Sequence, residues 1–326
     1  MRVMEEKQEV LISIRNLSKE FKGGGKTVRA VNNVSLDIYK GETLGLVGES
    51  GCGKSTLGNM LLHLHTPTSG EIYFEGQEIS RLPNREVKKL YRKLQIIFQD
   101  PYSSLDAKKT IGWLIEEPLR IHKIGKNKAE RDAMIKDMLD VVGMDSSYLE
   151  KYPNELSGGQ RQRVAIAIAL VLNPEFVVCD EAVSALDVSV QAQVLNLLKN
   201  LQKKFSLTYL FISHNLNVVS YMSDRVGIMY LGEIVELGDV EEISQNPLHP
   251  YGKALFSASL GVQKNTEKRI ILKGDLPSPA NPPSGCPFHT RCYMAKDICS
   301  SLKPELKDMG NGHFCACHRA EENKNK

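Results

Sequence analysis

The feature that most restricts this chain is a glycine-rich segment, Gly48-Glu-Ser-Gly-Cys-Gly-Lys-Ser55, which matches the pattern GxxxxGK[ST]. An apolar stretch at 43–47 precedes it, and a helical pattern begins at Lys54. A strand, a glycine-rich loop and a helix in this order form a phosphate cradle, because loop N–H groups and the helix N-terminus both attract anions. We predict that Lys54 reaches the β- and γ-phosphates of a nucleotide and that Ser55 binds Mg²⁺. The alternative is a glycine-rich turn that carries a lysine by chance.

A second pattern suits the same chemistry. The apolar run Phe176-Val-Val-Cys ends in two acids, Asp180 and Glu181. An acid at the end of a buried strand can hold a Mg²⁺ ion through water, and the next acid can accept a proton from an attacking water. The alternative to a catalytic role is that the two acids are simply exposed at the surface, since apolar strands that end in Asp-Glu are common. Together with the phosphate loop, the pair indicates phosphoryl transfer.

The order of the predicted elements indicates an α/β fold. Short apolar stretches typical of strands alternate with helical patterns on both sides of a mostly helical region at about 102–173. Such alternation is typical of a sheet covered by helices. The proline-rich segment 276–285 cannot form regular helix or central strand.

Length and composition exclude several classes. At roughly 150 residues per domain, 326 residues allow about two domains. Lys and Arg exceed Asp and Glu by 42 − 39 = 3, too little for the basic face of a nucleic-acid-binding protein. No apolar run reaches the ~18 residues that span a bilayer, and the acidic N-terminus lacks the apolar core of a signal peptide. We therefore expect a cytosolic chain whose membrane role, if any, comes through a partner.

A five-residue motif points to one family. Leu156-Ser-Gly-Gly-Gln160 lies between the phosphate loop and the acidic strand and resembles the LSGGQ sequence of ATP-binding-cassette ATPases. Gln99 resembles the glutamine of that family's Q-loop, Asp187 ends a segment similar to its D-loop, and His214 resembles its switch histidine. The resemblance covers residues 10 to about 240. It implies the P-loop ATP-binding-cassette fold with a helical insertion.

The resemblance also implies a mechanism. Two such domains dimerise head to tail, with ATP between the phosphate loop of one and the LSGGQ segment of the other. Glu181, His214 and Gln99 would be catalytic, His214 touching the γ-phosphate and Gln99 the metal and water, while Asp187 would relay state across the dimer. Ser55, Gln99 and Asp180 would hold Mg²⁺. The nucleotide would contact Phe21, Gly48, Glu49, Ser50, Gly51, Cys52, Gly53, Lys54, Ser55, Thr56, Ser157, Gly158, Gly159, Gln160 and Asp187.

Phe21 would stack on adenine, since an aromatic face suits a purine. A packed aromatic side chain at a strand end is the alternative. Ala182 departs from the family pattern, which usually has proline after the catalytic acid. That difference loosens the backbone without removing the acids.

Several longer sequence segments are similar to segments of the ATPases of bacterial oligopeptide, dipeptide or nickel importers. They lie at 99–106, 182–191, 229–235 and 246–255. The resemblance implies a cassette domain at 1–260 and an irregular, cysteine-rich extension at 261–326. It implies two membrane permease subunits, a paralogous cassette ATPase or a second copy as dimer partner, an extracellular solute-binding protein acting indirectly, and a peripheral place on the cytoplasmic face of the membrane. A short-sugar importer, a soluble cassette ATPase and a non-hydrolysing regulator are the alternatives.

Five of the seven cysteines crowd the C-terminal part of the chain. In a cytosolic chain such a group suggests metal ligands rather than disulfides. The spacing differs from common zinc pairs, and the resemblance to peptide-importer ATPases implies a [4Fe–4S] cluster held by Cys286, Cys292, Cys299 and Cys317, with Cys315 as the spare. Zinc and unliganded thiols remain the alternatives.

Overall fold

The computed structural model describes residues 9–23, 25–259 and 270–324. The chain forms two compact units. After their order along the chain, we call the described residues within 1–81 and 211–326 the outer unit and residues 82–210 the central unit. Within the described ranges, no helix is both long enough and apolar enough to cross a bilayer. The predicted domain boundary at 260 falls at the edge of 260–269, outside the described residues, and stays a prediction.

The first part of the outer unit builds a four-stranded antiparallel sheet in the order β2-β1-β4-β5. Ile12 and Ile14 alternate with polar residues on β1 and pair with Phe74 and Ile72 of β4, so one face of the sheet is buried. The elements are β1 (Val10–Gly23), β2 (Lys26–Tyr39), β3 (Thr43–Val47), α1 (Lys54–Leu61), β4 (Ser69–Phe74) and β5 (Gln77–Glu78).

The central unit is mostly helical, and the region predicted to be helical contains α3 to α6. Its strands β6 and β7 pair in parallel, with Ile97 opposite Cys179. The elements are α2 (Asn84–Leu90), β6 (Leu94–Ile97), α3 (Pro101–Ser104), α4 (Ile111–Ile121), α5 (Lys128–Val141), 3-10 turns at Ser146–Glu150 and Pro153–Glu155, α6 (Gly158–Leu170), β7 (Phe176–Asp180), α7 (Val188–Phe205) and β8 (Thr208–Ile212), which crosses the boundary between the units.

The C-terminal part of the outer unit extends a second sheet in the order β11-β12-β10-β9-β3. Strands β3 and β9 are parallel, and the others pair antiparallel. The elements are α8 (Leu216–Met222), β9 (Arg225–Tyr230), β10 (Glu233–Asp239), α9 (Val240–Gln245), α10 (Pro250–Ser259), a 3-10 turn at His289–Arg291, α11 (Asp297–Ser301), β11 (Lys307–Asp308), β12 (Phe314–Cys315) and α12 (Ala320–Lys324).

The extension is less irregular than predicted. Residues 276–285 have no helix or strand, as the prolines predict. Beyond them, however, β12 joins the sheet with Cys315 opposite Glu236 of β10. A two-residue strand has no recognisable sequence period, so local pattern could not reveal it.

A buried carboxylate ties the extension to this sheet. Glu236 is completely buried and accepts hydrogen bonds from the backbone N–H groups of Leu248 (2.6 Å) and His249 (3.1 Å). His313 Nε2 lies 2.8 Å from Oε1 of the same carboxylate, the oxygen that also accepts from Leu248. Burial raises the pKa of Glu236, while these hydrogen bonds oppose the shift.

We expect Glu236→Ala to lower the free energy of unfolding by about 3 kcal/mol, because it removes the acceptor of two buried backbone N–H groups and the partner of the buried His313. Urea denaturation of the full chain measures this. Glu305→Ala, at an exposed carboxylate of the same extension, is the control and should change stability by less than about 0.5 kcal/mol. Equal effects of the two variants would show that Glu236 does not anchor the extension.

Candidate functional site

The phosphate loop connects the fully buried strand β3 to helix α1. Gly53, at the N-terminus of α1, has φ +108°, and a Cβ atom there would lie 2.0 Å from the carbonyl oxygen of Ala30. Only glycine fits this backbone and this close approach. The glycine spacing of the motif therefore follows from the neighbouring strand β2 as well as from ligand binding.

Lys54 lies inside the loop. Its side chain is 6% exposed, and Nζ donates to the carbonyl oxygens of Gly48 (2.8 Å) and Glu49 (3.1 Å). Cys52 Sγ is 3.6 Å from Nζ. Burial raises the pKa of Cys52, against the opposing effect of the Lys54 charge. The loop thus holds a buried ammonium group at the N-terminus of a helix, which suits a phosphate anion.

His214 is exposed and follows the end of β8. Its neighbour Ser213 donates its N–H to Leu46 O of β3 at 3.3 Å, two residues before the phosphate loop. On the other side, Asn215 caps α8 by accepting from the N–H groups of Asn217 and Val218. His214 is therefore placed by a strand contact and a helix cap.

Phe21 lies on β1, 39% exposed. His65 contacts its ring edge-on, with centroids 5.5 Å apart, and Lys19 Nζ lies 5.1 Å from the ring centroid. An exposed ring of this kind leaves a surface for stacking.

In the central unit, Gln99 and Glu181 come together. Parallel pairing of β6 and β7 brings the carboxyl ends of both strands to one edge of the sheet. Gln99 Nε2 donates to Glu181 Oε2 at 3.1 Å. Glu181 has φ +49°, uncommon for a residue with a side chain, and Ser184 N–H and Oγ both bond its carbonyl oxygen at 3.0 Å.

The segment Leu156–Gln160 starts helix α6 with a reciprocal cap. Ser157 Oγ accepts from Gln160 N–H (3.4 Å), and Ser157 N–H donates to Gln160 Oε1 (2.9 Å). A Cβ atom at Gly159 would lie 2.4 Å from Val190 of α7, so glycine allows these two helices to pack. Two glycines at an exposed helix N-terminus leave backbone N–H groups available to an anion.

Asp187 caps α7. Its carboxylate accepts from Ser189 Oγ (2.6 Å) and Val190 N–H (3.0 Å), and these bonds lower the pKa of Asp187. Asp187 therefore has a local structural role besides the one the resemblance implies.

Several contacts around these motifs were not predicted. Tyr148 Oη accepts from Gln160 Nε2 (2.8 Å), and the Tyr102 ring stacks on the buried Arg161 guanidinium at 3.8 Å. Arg291 and Tyr251 contact Glu49 of the phosphate loop. No local pattern could reveal these pairs, because each forms between elements that only the fold brings together.

Four cysteines of the extension line one cavity: Cys286, Cys292, Cys299 and Cys317. None of the seven cysteines, all of which lie within the described residues, forms a disulfide. Burial is the main cause that raises the pKa of Cys286 to about 12 and that of Cys317 to about 11. No three His, Cys, Asp or Glu side chains among the described residues converge closely enough to hold a single metal ion. Cys315 packs instead with Leu248 and Ala320.

Comparison with known proteins agrees with these motifs. The family described as "ABC transporter" matches residues 31–184, and the family described as "Oligopeptide/dipeptide transporter, C-terminal region" matches residues 235–299. The chain is 50% identical to the oligopeptide transport ATP-binding protein AppF of Bacillus subtilis, over 95% of this chain and 98% of that protein. The chain belongs to the ABC transporter family.

Other relatives agree with this membership. The chain is 46% identical to the dipeptide transport ATP-binding protein DppF of Escherichia coli, over 92% of this chain and 90% of that protein. Among solved structures, the ATP-binding cassette MJ0796, described as a dimer in a post-hydrolysis state bound to ADP and Pi, is 31% identical. It matches with a TM-score of 0.64 over 71% of this chain and 99% of that one. The predicted cassette fold and the predicted ATPase class are confirmed.

Proposed function

We propose that this chain is the ATP-hydrolysing subunit that powers an importer of oligopeptides or dipeptides. The observation that supports this most is the match of residues 235–299 to the C-terminal region of oligopeptide/dipeptide transporters, in a chain whose residues 31–184 match the ABC transporter family. The peptide-transport relatives align along nearly the whole chain rather than along the cassette alone. In this proposal the protein acts peripherally at the cytoplasmic face of the membrane, with two permease subunits.

The phosphate loop would bind the triphosphate of ATP. Lys54 would exchange its carbonyl partners in the loop for β- and γ-phosphate oxygens, and the N-terminus of α1 would add its partial positive charge. Phe21 would stack on adenine.

Magnesium suits the residues that would hold it. Ser55, Asp180 and Gln99 offer hydroxyl, carboxylate and amide oxygens, the hard donors that Mg²⁺ prefers. When bound, the ion neutralises charge on the phosphates.

Hydrolysis would depend on Glu181. Its carboxylate would accept a proton from the water that attacks the γ-phosphate, and the Gln99 amide would orient that carboxylate through the 3.1 Å hydrogen bond. His214 would contact the γ-phosphate.

Two cassettes would bind ATP between them. The capped N-terminus of α6, with Ser157, Gly158, Gly159 and Gln160, would contact the nucleotide held by the partner, and Asp187 would lie at the contact between cassettes. Closure on ATP and reopening after hydrolysis would move the permease helices. The partner would be a paralogous ATPase or a second copy of this chain.

Affinity purification from native membranes in mild detergent, with mass spectrometry, tests the assembly. We expect two polytopic permeases and a cassette ATPase. Uptake of a radiolabelled tripeptide by cells lacking this chain should return with the unaltered protein and not with Lys54→Ala. Recovery of soluble partners alone, or peptide uptake that is independent of the chain, would refute the importer role.

We propose further that the four cysteines at the common cavity hold a [4Fe–4S] cluster. The donor set fits, because each iron of such a cluster needs one thiolate, and the four thiols therefore need not converge on a single ion. Because thiolates are the ligands, binding of the cluster would release the thiol protons. When bound, the cluster would cross-link the segments of the extension.

Anaerobic purification with iron and acid-labile sulfide analysis tests this. We expect about four of each per chain, lost in Cys292→Ser and retained in Cys315→Ser. One zinc per chain, or iron that survives Cys292→Ser, would contradict the cluster.

A further inference from the structure

The C-terminal extension contacts the phosphate loop through one arginine. Arg291 Nη1 donates to Glu49 Oε2 at 2.8 Å, and Nη2 donates to Glu49 Oε1 at 3.0 Å. Tyr251 Oη also accepts the backbone N–H of Glu49 at 2.9 Å. All three residues belong to the outer unit. A residue of the GxxxxGK[ST] motif is thus held at both its side chain and its backbone by residues from outside the motif.

The pair lies in an enclosed environment. The Arg291 side chain is 9% exposed and that of Glu49 is 28% exposed. The rings of Tyr230, Tyr251 and Phe288 pack together with centroids 4.8–5.3 Å apart. Burial opposes the charge of Arg291, but the combined effects of Glu49 and Tyr230 outweigh it and raise the pKa of Arg291. A two-point arginine–carboxylate contact in such a place fixes the orientation of the carboxylate and also compensates its charge.

The location of Glu49 explains why pairing matters. Glu49 directly follows Gly48 at the start of a loop whose purpose is to attract anions, and its own carbonyl accepts from Lys54 Nζ. An unpaired carboxylate in this loop would repel the triphosphate, because charges in a partly buried site are only weakly screened by solvent and salt. The contact with Arg291 neutralises the carboxylate and holds it on the side of the extension.

We propose that Arg291 is a positioning residue that sets the affinity of the phosphate loop for ATP by neutralising and holding Glu49. This rests on the proposed ATPase function. The extension then acts on the nucleotide site directly, through a residue that lies immediately before Cys292. Arg291 itself does not contact the reacting atoms.

Equilibrium binding of ATP, by competition with a fluorescent analogue, and steady-state ATPase rates of the full chain test the proposal. For Arg291→Gln we expect Kd and KM for MgATP to rise about tenfold, with kcat within about twofold. Glu49→Gln removes the negative charge and leaves that of Arg291 unpaired beside the loop, so it should lower Kd by about threefold or more. The double variant, with both charges removed, should return to within about threefold of the unaltered chain.

The directions of these Kd changes distinguish an effect of charge from a merely structural effect. If the pair only stabilises the fold, Glu49→Gln and Arg291→Gln will weaken binding alike and the double variant will not recover, which would overturn the proposal. Arg291→Lys keeps the charge without the two-point contact and should give an intermediate Kd even if Arg291→Gln folds poorly. A Kd within twofold of the unaltered chain in both Arg291 variants would also overturn it.

Lys296→Gln is the matched control. Lys296 belongs to the same extension and pairs with Glu322 at 2.6 Å on the surface, so its loss should change Kd by less than about twofold. Failure of the proposed function looks different: the unaltered chain would bind and hydrolyse no ATP. Normal ATP turnover with no change in the Arg291 variants refutes only the role of Arg291.

Discussion

Replacing Glu181 by glutamine should lower the ATP turnover of this chain by about 100-fold or more, the range found when a general base is removed. That factor corresponds to about 2.7 kcal/mol in the activation barrier. The amide cannot accept the proton of the attacking water, yet it has nearly the shape of the carboxylate and can still bond Gln99. ATP affinity should therefore stay within about threefold. Phosphate release and nucleotide binding, measured separately, check both statements.

Glu175→Gln is the control for this variant. Glu175 directly precedes the same strand β7, but its side chain pairs with Lys93 at 2.8 Å on the surface. Its turnover should stay within about twofold of the unaltered chain. Turnover in Glu181→Gln that matches Glu175→Gln would refute Glu181 as the base.

Replacing Gly53 by alanine should have the largest effect on the nucleotide site. The added Cβ would lie 2.0 Å from the backbone oxygen of Ala30 and 2.9 Å from Met229, at a φ of +108°. Because a strand carbonyl cannot move aside as a side chain can, we expect a loss of about 3 kcal/mol in the free energy of unfolding. The shift of the adjacent Lys54 should weaken ATP binding at least about tenfold.

Gly76→Ala separates the collision from the backbone strain. Gly76 also has a positive φ, +77°, but a Cβ atom there meets nothing within 4 Å. Its cost should be about 1 kcal/mol, with unchanged ATP affinity. Urea denaturation and ATP titration of both variants measure the difference, and equal losses would mean that the approach of Ala30 does not constrain the loop.

Prediction from sequence succeeded where a motif carries its own local geometry. The strand, loop and helix around Lys54 follow from the glycine spacing of the motif and lie where predicted. Family resemblance assigned catalytic roles to Gln99 and Glu181, but the contact between them was not predicted. In the structure it results from the register of two parallel strands, Ile97 opposite Cys179.

The extension shows the limit of local pattern. Its prolines predicted irregular backbone, yet its two-residue strand β12 joins β10, and its arginine pairs with Glu49. Arg291 and Glu49 are 242 residues apart, and neither has a sequence signal for the other. A pair of this kind depends on long-range chain packing, which motif spacing does not encode.

By itself, the sequence determined the class of this protein. Its phosphate loop, LSGGQ segment and acidic strand restrict it to a cassette ATPase, because each motif needs only a few neighbouring residues to build its chemistry. Only the tertiary structure decided which side chains surround those motifs: the carbonyls that hold Lys54, the helix that requires Gly159, and the arginine that neutralises Glu49. The reason is physical, since hydrogen bonds and close contacts across elements depend on distances that arise only when the chain is packed.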